Sequence, residues 1–208
     1  MKQIEIQNVV ASTSLSSQLD LRAIADKLDG AEYAPDEFPG LIYRLKKPKT
    51  AILLFHSGKV VCTGGKSQQE VEESIRTVSR LIRKAGQKVT SRPVIEVQNI
   101  VSTADLESEI DLNSIALTLG LDRVEYEPEQ FPGLVYRLDE PRVVVLLFGS
   151  GKLVLTGARQ PSDAQRAAEL VKNDLSRAGL LPGRRADSKS APNAPRAPVS
   201  GASPSTPA

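Results

Sequence analysis

The sequence predicts an α+β protein built from two copies of one unit. First, "IEIQNVVAS" (Ile4–Ser12) returns as "IEVQNIVST" (Ile95–Thr103), "FPGLIYRL" (Phe38–Leu45) as "FPGLVYRL" (Phe131–Leu138), and "FHSGKVVCTG" (Phe55–Gly64) as "FGSGKLVLTG" (Phe148–Gly157). Aligning 4–28 with 95–119 and 32–86 with 125–179 leaves 35 of 80 positions identical. Second, a unit of roughly 90 residues is too long for the common solenoid periods, so two of them make one pseudo-twofold body or two like domains. Third, the hydrophobic spacing in each unit runs strand, helix, several antiparallel strands, helix, which is an α+β order.

The elements follow in turn. Ile4, Ile6, Asn8 and Val10 alternate, so the chain opens on a strand. Asp20 precedes Leu21, Ile24, Ala25 and Leu28, a short helix with an acidic start. "FPG" marks a turn. Leu41–Leu45, Thr50–Phe55 and Lys59–Thr63 read as strands, separated by the "KKPK" and "HSGK" turns. Val71, Ile75, Val78, Ile82 and Ala85 fall at helical spacing, and Gly86 stops that helix. The second unit repeats the scheme, with Ala164, Ala168, Val171, Leu175 and Ala178 on its long helix. Residues 1–92 are thus expected to form the first repeat and 93–181 the second. Residues 182–208 hold six Pro, with Val199 as the one large apolar residue, and are expected to be a disordered basic tail.

Composition excludes several classes. The longest apolar runs, Ala51–Phe55 and Val143–Phe148, fall far short of the ~20 residues a membrane span needs. Met1 leads straight into the first strand, so no signal peptide is expected. One Cys and one His exclude a disulfide framework and the usual zinc spacings, so no metal or cofactor is expected. The net charge of +2 hides an asymmetry: +5 for 1–92, −6 for 93–181 and +3 for the tail. Halves of opposite sign suggest two kinds of partner.

Catalysis finds little support. His56 and Cys62 have Gly149 and Leu155 as repeat mates, and neither belongs to a dyad. "HSGK" and "GSGK" lack the full spacing and the following helix of a phosphate loop. The aromatics are more telling. All eight obey the repeat: Tyr33/Tyr126, Phe38/Phe131, Tyr43/Tyr136 and Phe55/Phe148. "AILLF" and "VVVLLF" are apolar on both faces, yet four helices cover only one face of such a sheet. The other face is left as an exposed apolar surface, the mark of a binding site. Its floor of Val, Leu, Phe, Thr and Asn, rimmed by Arg44, Lys59, Arg137 and Lys152, suits a ligand with an apolar middle and anionic edges. The minor groove of DNA is such a ligand.

At these residues the sequence resembles the TATA-binding protein family, from Ile4 to about Leu181. The strings "QNVVAS"/"QNIVST", "EFPGLIYRL"/"QFPGLVYRL" and "FHSGKVVCTG"/"FGSGKLVLTG" carry the resemblance. It implies a saddle: one curved antiparallel sheet of ten strands, with four helices on the convex side. It also implies DNA kinking by inserted wedges, the family's known mode. Phe38 with Phe55, and Phe131 with Phe148, match the two wedge pairs. Asn8 and Asn99 match the central pair that hydrogen-bonds minor-groove acceptors, with Thr63 and Thr156 beside them. Val10, Val61, Val101 and Val154 match the apolar floor. Arg44, Lys59, Lys66, Arg137, Lys152 and Arg159 are the candidate phosphate contacts. Glu127, Glu129 and Gln130 match the loop where transcription factor B docks. The implied function is a general transcription initiation factor that binds and bends promoter TATA DNA and recruits transcription factor B and, through it, RNA polymerase. Dimerisation of the DNA-free protein through its apolar face is open. The absence of an N-terminal extension looks archaeal, which places the protein in the cytoplasm at the nucleoid, or in the nucleus of a eukaryote. The rivals are an enzyme, for which a second catalytic domain is lacking, and a nonspecific architectural nucleic-acid-binding module.

Overall fold

The structure, a computed structural model, describes residues 3–120 and 122–181. The tail at 182–208, expected from composition to be disordered, lies outside the described residues. The first half of the chain forms β1 (Glu5–Ser14), α1 (Leu21–Ala25), β2 (Ala31–Glu32), β3 (Gly40–Leu45), β4 (Thr50–Phe55), β5 (Lys59–Gly65) and α2 (Gln68–Lys84). The second half repeats this as β6 (Glu96–Asp105), α3 (Leu112–Leu119), β7 (Val124–Glu125), β8 (Leu134–Leu138), β9 (Val143–Leu147), β10 (Lys152–Ala158) and α4 (Pro161–Arg177). All ten strands join one curved antiparallel sheet in the order β2-β3-β4-β5-β1-β6-β10-β9-β8-β7. That order is a palindrome about the β1–β6 joint.

Side-chain alternation sorts the sheet into two faces. Val9, Leu41, Ile52, Leu54, Val60 and Cys62 are buried on one face, and Ile100, Leu134, Val145, Leu147, Leu153 and Leu155 continue it. The helical stripes close over this face: Val71, Ile75, Val78 and Ile82 of α2, and Ala164, Ala168, Val171 and Leu175 of α4, are all fully buried. Removing these side chains from water is the main force holding helices to sheet.

Helix ends are set locally. Asp20 accepts the Ala23 N–H at 3.0 Å and starts α1. Asp111 starts α3, accepting the Asn113 N–H at 3.0 Å and the Ser114 hydroxyl at 2.6 Å. Those donors hold its carboxyl below the usual range. Ser67 caps α2 through the Glu70 N–H. Gly86, at φ +92°, turns the chain out of α2 as the spacing predicts.

Four elements differ from the pattern. The first helix stops at Ala25, and Leu28 falls in the turn after it, still buried at 8% exposure. The strands β2 and β7 have two residues each, too short to leave a periodic signal. The alternation Ile4-Ile6-Asn8-Val10 is broken by a bulge. Ile6 pairs with Ser102 and packs on the core, whereas Asn8 pairs with Val101 on the opposite face, leaving Gln7 as the extra residue. A bulge reverses the parity of a strand, so the residues before and after it face different sides.

Candidate nucleic-acid interface

The face without helices holds most of the sequence-predicted site residues. At its centre, register places Asn8 beside Val101 and Val10 beside Asn99, so each repeat contributes half of one patch. Each asparagine is held in one orientation. Asn8 Oδ1 accepts the Gly64 N–H at 2.7 Å, and its Nδ2 donates to Thr63 Oγ1 at 3.3 Å. Asn99 repeats this with Gly157 at 2.7 Å and Thr156 at 3.2 Å. A backbone N–H can only donate, so the carboxamide oxygen must face it. The amide nitrogen then faces outward, with one N–H on the threonine and one left for a ligand. The site thus presents hydrogen-bond donors at its centre.

On either side runs the apolar floor. Val61 pairs with Leu53, and Leu53 with Ile42. Val154 pairs with Leu146, and Leu146 with Val135. Ala51 and Val144 complete the floor beside Thr63 and Thr156. Ile42, Ala51, Leu53, Val135, Val144 and Leu146 lie on this same face, and the sequence reading did not name them individually. Their signal was present: Ala51, Leu53, Val144 and Leu146 alternate with the core positions of the "AILLF" and "VVVLLF" runs, in phase with Phe55 and Phe148, and Ile42 and Val135 follow the buried Leu41 and Leu134. Gln7 and Gln98, the bulge residues, were also missed. Gln7 Nε2 donates to Thr103 Oγ1 at 3.0 Å, and Gln98 Nε2 to Ser12 Oγ at 2.9 Å, across the joint in both directions.

The phenylalanines form two pairs. Phe38 and Phe55 meet edge to face with centroids 5.9 Å apart, and Phe131 and Phe148 do the same at 5.9 Å. Phe131 is 37% exposed. The "FPG" glycines make room for these rings. A Cβ on Gly40 would sit 2.6 Å from the Phe38 ring, and one on Gly133 would sit 2.7 Å from the Phe131 ring. The outer edge of the Phe38 and Phe131 rings therefore occupies the space a Cβ would fill, over bare backbone.

The cations are unequal. Lys59 and Lys152 are exposed at the starts of β5 and β10, and Lys66 and Arg159 are exposed just beyond the ends of those strands. Arg44 and Arg137 lie in the floor rows of Ala51 and Val144, but each already holds a carboxylate of the neighbouring edge strand. Arg44 forks onto Glu32 at 2.8 Å, and Arg137 onto Glu125 at 3.1 Å. Glu125 further raises the Arg137 pKa by hydrogen bond and charge. Glu127, Glu129 and Gln130 lie away from the central patch, exposed in a tight turn where the Gln130 and Phe131 N–H groups both reach the Glu127 carbonyl at 2.9 Å.

His56 and Cys62 are occupied elsewhere. His56 Nδ1 lies 2.9 Å from the Leu19 carbonyl and Nε2 lies 3.0 Å from Gln18 Nε2, so the ring staples the 15–20 loop to the β4–β5 turn. Burial pushes the Cys62 thiol up to about 11, keeping it protonated in the core. Among the described residues no three His, Cys, Asp or Glu side chains gather as a metal site, and no helix is long and apolar enough to cross a membrane.

Comparison with known proteins agrees with this geometry. The family model described as "Transcription factor TFIID (or TATA-binding protein, TBP)" matches residues 3–85 and again 94–178. TATA-box-binding protein 1 of Haloferax volcanii is 56% identical over 180 residues, covering 86% of this chain and 95% of the relative. The TATA-box-binding protein of Thermoplasma acidophilum is also 56% identical over 180 residues, covering 86% and 98%. The solved structure of Methanococcus jannaschii TBP shares 49% identity at a TM-score of 0.79, covering 85% of this chain and 99% of that one.

Proposed function

The chain belongs to the TATA-binding protein family of transcription factors, which are not enzymes, and from that premise we propose that it binds the minor groove of promoter TATA elements, bends the DNA and recruits the next initiation factor. The observation that carries this reading is the pair of asparagines whose donors are turned outward at the centre of an apolar face. A·T pairs offer only acceptors in the minor groove, whereas G·C adds an amino group that would meet the Val10 and Val101 floor and the asparagine donors. Donors amid apolar contact therefore select A·T.

The remaining roles follow from position. The Phe38/Phe55 and Phe131/Phe148 pairs enter a base step at either end of the bound site, and the unstacked bases are filled by rings already posed on Gly40 and Gly133. Lys59, Lys66, Lys152 and Arg159 meet phosphates, and Arg44 and Arg137 do so while sharing their charge with Glu32 and Glu125. Val61, Val154, Thr63 and Thr156 complete the contact surface. Residues 1–92 and 93–181 act as the two halves of one clamp. The exposed turn with Glu127, Glu129 and Gln130 docks a basic surface of transcription factor B, which brings RNA polymerase. In the absence of DNA, the open apolar face pairs with a second copy. The relatives named above come from archaea, which fits a cytoplasmic protein at the nucleoid.

Footprinting on a promoter duplex tests the reading. Protection centred on the TATA element, lost when its central pairs become G·C, is the expected result. Equal protection of TATA and scrambled duplexes would instead make the protein a nonspecific architectural module.

A further inference from the structure

The two strand-end edges of the open face differ in charge although the repeat makes them equivalent. One groove is lined by Lys59, Val61, Ser12, Ser14, Arg92 and Glu96. Its counterpart is lined by Lys152, Val154, Thr103, Asp105 and Glu5. Glu5 and Glu96 are repeat mates and cancel. The contrast lies in what faces each lysine. Lys59 pairs across β5–β1 with Ser14, and Lys152 pairs across β10–β6 with Asp105. Directly paired residues project from the same face of a sheet, so Asp105 places an acidic side chain on the face that carries Lys152, at the neighbouring position and without a direct ion pair. Its Oδ1 accepts the Glu107 N–H at 2.8 Å, which holds the carboxyl to the backbone just past the strand end. Lys59 has a neutral hydroxyl as neighbour, and Arg92 lines the same groove. Among the described residues, the only Lys or Arg lining the other groove is Lys152.

We propose that the two edges grip the two DNA backbones unequally, and that Asp105 is the positioning residue that sets the difference by placing a negative charge on the Lys152 edge, where it repels the phosphate that Lys152 would meet. The inference rests on the minor-groove reading above. A phosphate arriving at Lys59 meets one or two uncompensated cations. A phosphate arriving at Lys152 meets a cation that already has an anionic neighbour. The second edge therefore releases fewer counterions on binding and contributes less to salt-dependent affinity. The first edge acts as the anchor, and the second lets its DNA strand shift.

The test compares Lys59→Ala, Lys152→Ala, Asp105→Ser and Ser14→Asp for binding to one TATA duplex and one scrambled duplex across a salt series. Lys59→Ala is expected to flatten the log–log salt slope by about 0.9 and Lys152→Ala by clearly less. Asp105→Ser, which copies the first repeat, is expected to tighten binding about two- to fourfold at low salt, the Boltzmann factor of removing one unit charge about 5 Å from a phosphate in water. It should also make Lys152→Ala as costly as Lys59→Ala. Ser14→Asp should weaken binding by a similar factor. Methylphosphonate substitution of single phosphates gives a readout that needs no variant: neutralising those over Lys59 should cost more than neutralising those over Lys152. Equal costs at the two edges of the parent protein, or no change of slope in Asp105→Ser, would overturn the proposal. A parent that does not prefer TATA over scrambled DNA would instead overturn the minor-groove reading, whatever the slopes.

Discussion

Asn99→Asp isolates the readout from the fold. The substitution keeps size and shape. The carboxylate still accepts the Gly157 N–H, now at 2.7 Å from Asn99 Oδ1, and the Thr156 hydroxyl, 3.2 Å from Nδ2, can rotate to donate to the new oxygen. The strand pairing is untouched, so the melting temperature should stay within about 4 °C of the parent, the shift that ~1 kcal/mol gives a chain of this size. The outward-facing group changes from donor to acceptor. In the complex it would face an adenine N3 or thymine O2, also acceptors, in a site that excludes water. Losing the hydrogen bond and leaving two acceptors opposed costs about 1–3 kcal/mol, or about 5- to 150-fold in affinity. Fluorescence anisotropy with labelled TATA and scrambled duplexes measures it. The loss should fall mainly on the TATA duplex and persist at high salt, where simple repulsion of phosphates is screened. TATA binding within twofold of the parent, or equal losses on both duplexes, would refute the donor argument. Asn8→Asp should behave alike, because Gly64 and Thr63 repeat the geometry.

Four further outcomes are expected. The double substitution Phe131→Ala with Phe148→Ala should shrink the DNA bend read by fluorescence transfer between duplex ends; an unchanged angle would sink the wedge role. Glu127→Arg with Glu129→Arg should leave TATA binding nearly intact and abolish the ternary complex with transcription factor B in a gel shift, whereas reversal at Asp36 and Glu37 should do much less. Gly58→Ala should lower stability by about 1–3 kcal/mol in denaturant titration, since a Cβ there would fall 1.9 Å from the Ser16 carbonyl oxygen at φ +78°. Tyr136, whose pKa is raised by burial and then by its 2.8 Å hydrogen bond to Asp174, should contribute stability that is fully present below about pH 10 and lost as pH rises through its raised folded value. Tyr136→Phe should remove that alkaline limb from the stability–pH curve.

Much of the site was legible because it is written twice. A lone phenylalanine before Pro-Gly reads as core, but Phe38 and Phe131 recurring with Phe55 and Phe148 point to a shared task, and the apolar double-faced runs announce an uncovered face. Parity was harder. Alternation through Ile6 and Asn8 looks continuous in sequence, and only the pairing with Ser102 and Val101 reveals that Gln7 is inserted. Bulges depend on the partner strand, which one strand's pattern does not carry. The Arg44–Glu32 and Arg137–Glu125 pairs were hidden for a similar reason: they join residues twelve apart across strands only two residues long. The role of His56 needed the 15–20 loop folded back onto it, a contact that composition does not encode.

The glutamine exchange across the sheet's midline has a consequence for the history of the chain. Gln7 reaches Thr103 as Gln98 reaches Ser12, and the register between the two long strands reads the same from either end. A joint in which each side offers the same patch is the isologous contact of a twofold homodimer. A chain holding one repeat would end in an open β1 edge whose bulge and glutamine already fit a second copy of itself. Two such chains would assemble the same ten-stranded sheet, and a short linker would be enough to fuse them. Fusion then permits what identical subunits forbid. Ser14 and Asp105, His56 and Gly149, Leu81 and Asp174 occupy equivalent positions with different chemistry. A symmetric dimer must present one face twice, whereas the fused chain can have a front and a back, and so can point along DNA in one direction.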